Sequence, residues 1–587
     1  MPDPIAALTP HVQQAMAAAF GPEWADADPV IRPANKRQTT ADLQVNAAMA
    51  AGTRLGRPPR EVAAAIVEYL DAGDVVEQVE IAGPGFLNVT ISAQWISDTA
   101  NALRQDDHFG IIAPKAERIV VEYSSVNAAK EMHVAHLRSA VVGDALVRTL
   151  EFLGHDVIRQ NHLGDWGTPF GMLIEHLLEV GEDSEEAKLL QSDPNTFYRA
   201  ARAKFTTAEK AEPAGAAGDF DARARRRVTL LQSGDAESMR FWAEIMELSK
   251  VYLNRVYTEL DISLTDDDID GESSYNDQLP GICDALQEKG IAEISQGALC
   301  VFLDGVQGRD GEPLPLIVRK SDGGYGYAVT DIATVRHRAL DRHVDRSLYV
   351  VGAPQQLHFQ MCWETARLAG WTVGLTPIHV QIGNVVGTDG KILKTRSGDL
   401  VSLQSLVDVA FARSAEVIAE SRPDLDAAAR ATISHQVGIA ALKYADLSVS
   451  HDSGYTFDVD RMVALQGDTG PYLQYAAARI RSILARAGVE NPIGPIVVRE
   501  PAERALALRL LDFGSVVVGV GESLEPHRLC AYLSDLAQTF SAFYEHCPVL
   551  KAEEAQVRES RLALAHLTRS VLVQGLLLLG ITAPEQM

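Results

Sequence analysis

Cysteine is scarce in this sequence, and its few copies are scattered. None of the five cysteines among the 587 residues forms a Cys-x-x-Cys pair. This spacing argues against a zinc site or a disulfide framework and favours a reducing, cytoplasmic compartment. A run of about 18 apolar residues, the length of a membrane span, is also absent. The N-terminal segment MPDPIAALTP lacks a basic region followed by an apolar core, so neither a membrane span nor a secretory signal is expected.

Positive charge is in short supply as well. The chain has 53 lysines and arginines against 79 aspartates and glutamates, a formal net charge of -26. A nucleic-acid-binding protein usually carries a basic footprint, although net charge does not exclude a local basic patch. Composition alone therefore favours a metabolic enzyme. The length suffices for about three or four domains with cores of their own.

The most informative stretch is residues 118–143, RIVVEYSSVNAAKEMHVAHLRSAVVG. An apolar run from Ile119 to Tyr123 predicts a strand, and the apolar periodicity from Met132 to Leu153 predicts a helix after a polar turn. Such a unit presents backbone N–H groups and a positive dipole end to a phosphate. Lys130, His133 and His136 stand at this turn, with the two histidines on one helical face. They suit a polyphosphate, although a surface lysine with two ordinary helix histidines gives the same pattern.

The same stretch resembles a known signature. Its pattern Ser-x-Asn-x-x-Lys-x-Met-His stands here as Ser125, Asn127, Lys130, Met132 and His133. Followed by His-Val-Ala-His, it resembles the class I aminoacyl-tRNA synthetases, specifically the arginyl family. Ala135 replaces the usual glycine between the histidines and is small enough for a nucleotide base to lie close. The resemblance implies that His133, Ala135 and His136 bind ATP, and that Lys130 and both histidines are catalytic.

A second strand, Val157 to His162, and a glycine-rich loop, Gly164 to Gly171, follow. Ligands of open α/β sheets bind outside the carboxyl ends of the strands, so this loop should face the same pocket. Its LGDWG string is close to the arginyl family, although a tight turn with a buried Trp166 is the competing interpretation. Residues 181–310 resemble the connective insertion of the class.

An acidic pocket is predicted in the second half of the nucleotide fold. Tyr327 and Asp331 lie four residues apart, so at a helix start they share a face. Asp331 can bind a guanidinium in bidentate fashion, although an aspartate there is also a common helix cap. The resemblance implies an arginine pocket. Its members would be Glu122, Ser125, Asn127, Tyr327, Asp331 and Gln355.

A basic, glycine-rich loop near residue 394 resembles the mobile loop that class I enzymes place at this location. The resemblance implies ATP contacts from Lys394, Thr395 and Arg396, with catalytic roles for Lys394 and Arg396. Lys130 would replace the lysine displaced from this loop. Gly352 can allow close approach of adenosine, and Mg²⁺ would accompany the phosphates. Standing alone, the loop is only a weak phosphate-binding signal.

Two further regions resemble the tRNA-binding domains of the arginyl family. The strings ADLQVNAAM and GPGFLNV resemble the N-terminal domain that contacts the tRNA elbow, and GDTGPYLQYAAAR resembles the anticodon-binding domain, with Asp468 and Ala477 as departures. Unstacked RNA bases are recognised by stacking and by edge hydrogen bonds. The candidates are Gln44, Asn46, Phe86, Asn88, Tyr472, Gln474, Tyr475 and Arg479. Phe86 and the tyrosines can equally be core residues, and Asn88 a strand-edge residue.

The expected fold class is α/β. It comprises a Rossmann-like class I synthetase catalytic domain, an α+β N-terminal domain and an all-α C-terminal helical bundle. The predicted domains are the N-terminal domain (1–115), the first catalytic half (116–180), the insertion (181–310), the second catalytic half (311–404) and the anticodon-binding bundle (405–587).

The resemblance implies an arginyl-tRNA synthetase activity that uses ATP, Mg²⁺, L-arginine and tRNA(Arg), in a cytoplasmic enzyme that is commonly monomeric. It also implies that arginine activation requires tRNA. One alternative is an arginine-activating paralogue that donates to a non-tRNA acceptor, which the acidic charge, Asp468 and Ala477 favour. The other is a non-catalytic RNA-binding or regulatory protein that has kept the fold; the intact His-Val-Ala-His motif argues against it.

Overall fold

The computed structural model describes residues 3–35, 39–210, 219–393 and 401–587. It contains two compact units. The first combines Met1–Pro114, Ala464–Leu577 and Thr582–Met587, and the second combines Lys115–Val463 with Leu578–Ile581. Within the described ranges, no helix is long and apolar enough to cross a membrane.

The N-terminal part of the first unit is a four-stranded antiparallel sheet with helices, in strand order β1-β2-β4-β3. Its strands are β1 (Ile31–Pro33), β2 (Leu43–Val45), β3 (Val76–Ala82) and β4 (Phe86–Ile91), and its helices are α1 (Pro4–Phe20), α2 (Ala47–Leu55), α3 (Pro59–Tyr69) and α4 (Ala93–Leu103). Strands β3 and β4 form a hairpin, since β3 pairs antiparallel with β4. Gly83 supplies a φ of 53° in the turn, which a residue without Cβ adopts readily.

The second unit contains most of the strands. They are β5 (Arg118–Glu122), β6 (Asp156–Gln160), β7 (Ala292–Ser295), β8 (Ala298–Gln307), β9 (Pro313–Arg319), β10 (Arg346–Gly352), β11 (Thr376–Ile382), β12 (Val385–Val386) and β13 (Tyr455–Thr456). Its α-helices are α5 (Val134–Phe152), α6 (Thr168–Val180), α7 (Leu189–Ser192), α8 (Pro194–Lys210), α9 (Phe220–Gln232), α10 (Ala236–Glu259), α11 (Leu279–Glu288), α12 (Tyr327–Arg336), α13 (Gln356–Leu368), α14 (Leu403–Ser421), α15 (Ala427–Leu447) and α16 (Val459–Met462).

Four parallel strands form the central sheet, in the order β11-β10-β5-β6. From β5 the chain passes through α5 to β6 on one side, and from β10 it passes through α13 to β11 on the other. The strand order therefore reverses between β5 and β10, and such a switch point opens a crevice at the carboxyl ends of the two strands. The predicted strand-turn-helix unit and α/β class are confirmed.

The second catalytic half opens on β9, which lies outside the parallel sheet. It pairs antiparallel with β8, which pairs antiparallel with β7. The burial of β9 alternates along its length, which is typical of an antiparallel strand with one solvated face rather than a strand covered on both faces.

The helices after residue 401 divide between the two units. The predicted boundary at residue 405 does not coincide with the division, since α14 and α15 belong with the parallel sheet. A fully buried ion pair, Arg138 Nε to Asp446 Oδ1 at 2.9 Å, joins α5 to α15, and β12 pairs with β13. The remaining helices are α17 (Gly470–Ala487), α18 (Pro501–Leu511), α19 (Phe513–Ser523), α20 (His527–His546) and α21 (Ala555–Leu578). Helices α18 and α19 are separated only by Asp512.

Candidate active site

A cavity of about 660 Å³ lies in the crevice between the carboxyl ends of β5 and β10. Every residue predicted to bind arginine lines it, and so do the ATP candidates of the described ranges. These residues are Glu122, Ser125, Asn127, His133, Ala135, His136, Tyr327, Asp331, Gly352 and Gln355. Gly164 of the LGDWG loop lines it too, where a Cβ would collide with the Asn127 side chain.

The turn after β5 is held in a strained conformation. Ser124 and Ser125 have φ values of 64° and 46°, which cost free energy in residues with a side chain. The Ser125 N–H donates to Asn161 Oδ1 at 3.1 Å, and the Asn161 amide donates to the Tyr257 hydroxyl at 2.9 Å. That hydroxyl also bonds Ser124 Oγ at 2.8 Å. Tyr257 comes from α10 of the insertion, so the insertion helps to shape the cavity floor.

One end of the cavity is acidic. Asp331 Oδ2 lies 2.5 Å from His358 Nε2, and Asp331 Oδ1 lies 3.8 Å from His162 Nε2. Glu122 and Glu272 line the same cavity. A concentration of carboxylates at a buried wall is suited to a cationic ligand such as a guanidinium.

Two titratable side chains at this end, Glu272 and His162, shift each other's pKa. Burial raises the pKa of Glu272 to about 7; His162 opposes the shift, and Asp165 and Asp331 add to it. Burial by itself would lower the pKa of His162, but the carboxylates of Glu122, Asp331 and Glu272 together raise it above its ordinary value. The acidic end thus changes its charge near neutral pH, where perturbed groups mark functional sites.

Asp331, His358 and Cys362 also place potential metal-ligand atoms within 4.8 Å of one another. A zinc ion needs ligand atoms about 2 Å from itself, whereas His358 Nε2 and Asp331 Oδ2 already hydrogen-bond directly at 2.5 Å. Burial, together with Asp331, raises the pKa of the Cys362 thiol well above its ordinary value, and the thiolate is the form that binds metal. The arrangement fits an organic cation better than a metal ion.

The other end of the cavity is formed by the start of α5. The rings of His133 and His136 stack with centroids 3.7 Å apart. The backbone N–H of His133 donates to His136 Nδ1 at 3.1 Å, so neutral His136 carries its proton on Nε2. Burial lowers the pKa of His136 to about 3, and burial and Lys130 lower the pKa of His133. Both rings are therefore neutral at pH 7, so they can contact a ligand through hydrogen bonds but not as cations.

Lys130 lies apart from the cavity-lining set. Its Nζ sits 4.1 Å from the centre of the Tyr198 ring, a cation–π contact with α8 of the insertion. The adjacent Glu131 accepts a hydrogen bond from the Asn195 amide at 2.6 Å. Lys394, Thr395 and Arg396, the predicted basic loop, lie outside the described residues.

Two rim residues are accessible from solvent. Tyr327 is 64% exposed and its ring contacts His358 with centroids 4.8 Å apart. Gln355 is also exposed, in a short 3-10 turn after β10. Both side chains line the cavity and are exposed, so they can contact a bound ligand.

The tRNA candidates of the N-terminal sheet lie close to one another on neighbouring strands. The Gln44 amide donates to Asn88 Oδ1 at 3.0 Å, and Asn88 is buried with 8% of its surface exposed. Asn46 and Phe86 are half-buried. Gln44 and Asn88 therefore satisfy each other, so a tRNA contact there would compete with an internal hydrogen bond.

The candidates on α17 differ in exposure. Tyr475 and Arg479 are exposed, and Arg479 lies over the Tyr544 ring at 4.9 Å. Tyr472 is half-buried. Gln474 is fully buried, and its amide donates to the Thr582 carbonyl at 2.7 Å. The structure therefore brings two of the four to the surface and turns Gln474 inward.

Sequence reasoning assigned no role to His162, Glu272 or His358. His162 stands two residues after the end of β6, so its place near a carboxyl end of the sheet was an available signal. Glu272 lies in the insertion and reaches the cavity because Asp165 accepts hydrogen bonds from the Ser273 N–H and hydroxyl at 2.9 and 2.6 Å. No local pattern marks that long-range contact.

A parallel sheet with its switch-point crevice, and a His-Val-Ala-His helix start facing that crevice, define a class I aminoacyl-tRNA synthetase. The family model for tRNA synthetases class I (R), catalytic domain, matches residues 98–459. The DALR anticodon binding domain matches residues 473–587, and the arginyl tRNA synthetase N terminal domain matches residues 6–91.

Comparison with known proteins identifies the family within this class. The arginine–tRNA ligase of Thermobifida fusca is 60% identical over 589 residues, covering 100% of both chains, and that of Streptomyces coelicolor is 45% identical over 599 residues, covering 99% of this chain and 100% of its own. The crystal structure of arginyl-tRNA synthetase from Plasmodium falciparum superposes with a TM-score of 0.81 at 25% identity, over 99% of each chain. The chain belongs to the arginyl-tRNA synthetase family, and its predicted fold class is confirmed.

Proposed function

We propose that the protein activates L-arginine with ATP to form arginyl-adenylate and transfers the arginyl group to the 3′ end of tRNA(Arg). One observation carries the proposal. A single cavity holds a carboxylate cluster around Asp331 at one end and a helix N-terminus with two neutral histidines at the other. The first end suits a guanidinium and the second suits a polyphosphate, so the two substrates can meet between them.

The acidic end would bind the side chain of arginine. Asp331 is the principal partner, because its two oxygens can accept from two guanidinium N–H groups at once. Tyr327 and Gln355 stand at the rim, and Ser125 and Asn127 stand at the turn after β5. This arrangement leaves the carboxylate of arginine directed towards α5, where the reaction occurs.

The chemical step is in-line attack by the arginine carboxylate on the α-phosphate, with pyrophosphate leaving. A C–O–P bond forms while the bond to pyrophosphate breaks, and negative charge grows on the phosphate oxygens. Hydrogen-bond donors placed before the reaction stabilise that charge, each contributing on the order of 10²–10³ in rate. We assign this task to His136 Nε2–H, to His133 and to the N-terminus of α5, with Ala135 and Gly352 beside adenosine.

The remaining positive charge would come from flexible side chains. Lys130 must leave the Tyr198 ring to reach a phosphate, a rotation that the long lysine stem allows. Lys394 and Arg396 are proposed for the same task, with Thr395 at the phosphates, on the basis of the family resemblance. Mg²⁺ would enter with ATP as its phosphate-bound counter-ion and is part of the substrate.

Binding of tRNA(Arg) is assigned to the two family domains outside the catalytic one. Tyr475 and Arg479 are exposed on α17, and an aromatic ring beside a guanidinium can stack an unpaired base. Gln44, Asn46, Phe86, Asn88 and Tyr472 remain proposed contacts, whereas buried Gln474 would act by holding α17 in place. We also propose a cytoplasmic monomer.

ATP–pyrophosphate exchange and aminoacylation test the proposal together. Purified protein should exchange labelled pyrophosphate into ATP only with arginine, and exchange should require tRNA(Arg). It should also charge that tRNA. Exchange without any charging would indicate an enzyme with a non-tRNA acceptor. No exchange under any condition, with tRNA binding retained, would indicate a non-catalytic RNA-binding protein.

A further inference from the structure

Glu122 does not face the cavity alone, because a second guanidinium already holds it from behind. Arg338 is 1% exposed, and its Nη2 donates to Glu122 Oε2 at 2.5 Å. Its Nη1 donates to Ser347 Oγ at 2.8 Å, and its Nε donates to Gln160 Oε1 at 3.3 Å. One arginine side chain therefore connects β5, β10 and β6 beneath the cavity, with Glu122 between it and the ligand space.

The element that carries Arg338 also carries Asp331. Helix α12 continues directly into a single π-helical turn, His337–Asp341, a departure that is frequent at functional sites. Asp331 lines the cavity from the first part of this element, and Arg338 reaches Glu122 from the second. The positions of the two carboxylates are thus fixed by one continuous helix.

The ion pair between Arg338 and Glu122 also changes the charge that the pocket presents to a ligand. Glu122 lines the cavity end that also holds Asp331, and with Asp331 assigned to the ligand's guanidinium, Glu122 needs a cationic partner from the protein. Arg338 neutralises Glu122 permanently. It occupies Oε2, so the other oxygen of Glu122 is the one left for a ligand, and the fork geometry of the guanidinium fixes the plane of the carboxylate.

We propose that Arg338 is a positioning residue of the arginine pocket, which acts through Glu122 to orient one carboxylate oxygen towards the bound amino acid. The inference rests on the proposed function in that the ligand is L-arginine. Without Arg338, Glu122 would turn within a pocket of like charges, and arginine would bind more weakly while ATP binding would be kept.

The test compares Arg338→Gln and Arg338→Lys in the full-length protein. Calorimetric titration with L-arginine and steady-state KM values for arginine and ATP are the readouts. Arg338→Gln should raise the dissociation constant for arginine at least about 10-fold, the scale of losing a partner from a buried charge pair. Arg338→Lys should recover part of the loss, since it keeps the charge without the fork. The KM for ATP should stay unchanged.

Arg138 provides a matched control in the same unit. It is fully buried, its Nε bonds Asp446 Oδ1 at 2.9 Å, and it lies over the Tyr455 ring at 5.3 Å, much as Arg338 lies over the Tyr349 ring at 4.8 Å. Arg138→Gln should lower Tm as Arg338→Gln does, without a selective loss of arginine affinity. A loss confined to Arg338→Gln separates positioning from stability.

A double-mutant cycle with Glu122→Gln decides whether Arg338 acts through Glu122. The double variant should bind arginine no more weakly than the weaker single variant, since coupled residues give non-additive effects. Additive losses would overturn the proposal, as would wild-type arginine affinity in both Arg338 variants alongside a lowered Tm. If Arg338→Gln does not fold, Arg338→Lys carries the same comparison. Absence of aminoacylation in the wild type would count against the proposed function instead, because arginine binding is measured separately.

Discussion

The two ends of the cavity suit ligands of opposite charge, and they do so with different chemical groups. The acidic end gathers several carboxylates, and burial raises the pKa of one of them, Glu272, to about 7. The α5 end uses neutral groups, since burial lowers the pKa of His136 to about 3. A cation needs fixed negative charge, whereas a polyphosphate that brings its own counter-ion needs aligned donors. Arginine binding at the acidic end should therefore respond to pH between about 6 and 8, whereas the α5 end should not.

Removal of Asp331 should produce the largest separation between the two ends. Asp331→Ala leaves a guanidinium without its bidentate partner, a loss of about 2–5 kcal/mol. The KM for arginine should rise by orders of magnitude while the KM for ATP is kept. Exchange kinetics as a function of each substrate measure both. Asp310→Ala, at an exposed carboxylate between β8 and β9, is the control; an unchanged arginine KM in Asp331→Ala would remove the assignment.

Removal of His136 should affect the phosphate end of the cavity rather than the acidic end. His136→Ala deletes the Nε2–H donor at the phosphate end, so the rate of adenylate formation should fall on the order of 10²-fold. Affinity for tRNA(Arg) should stay the same in a filter-binding assay. His435→Ala, at an exposed histidine of α15, controls for the general loss of a ring. Loss of tRNA binding alone would contradict the catalytic role of His136.

The KM for arginine should depend on pH, because two side chains at the acidic end change their charge near pH 7. As pH rises through about 7, Glu272 loses its proton and gains negative charge, while His162, whose pKa is raised, loses positive charge. Both changes favour a bound cation, so the KM for arginine should fall by about 10-fold across this range. Glu272→Gln should flatten the profile, and the KM for ATP should not follow it. A steeper profile in the Gln variant would contradict this account.

A substitution at the rim of the cavity should have the smallest effect on arginine binding. Tyr327→Phe removes one hydroxyl from a residue that is 64% exposed, so the loss should be about 1 kcal/mol. The KM for arginine should rise by about five-fold, with kcat unchanged. A loss as large as that of Asp331→Ala would place the principal contact at the rim and not at the cavity wall.

Sequence patterns located much of this site because its motifs are local. The strand before Ser124, the helix after His133 and the helix start that carries Asp331 each follow from a short run of residues, and their strands meet at one sheet edge. The contacts that sequence did not predict are long-range. Arg338 meets Glu122 across more than 200 residues, and Glu272 arrives from the insertion. The neutral state of the histidines depends on burial, which no local pattern encodes.

The most direct measurement is a structure of the protein with a non-hydrolysable arginyl-adenylate analogue. The account predicts that the guanidinium lies within hydrogen-bonding distance of the Asp331 carboxylate, and that the phosphate replacement lies beside His136 and the start of α5. An analogue bound in the opposite direction, or with its guanidinium away from Asp331, would contradict the division of the cavity into a cation end and a phosphate end.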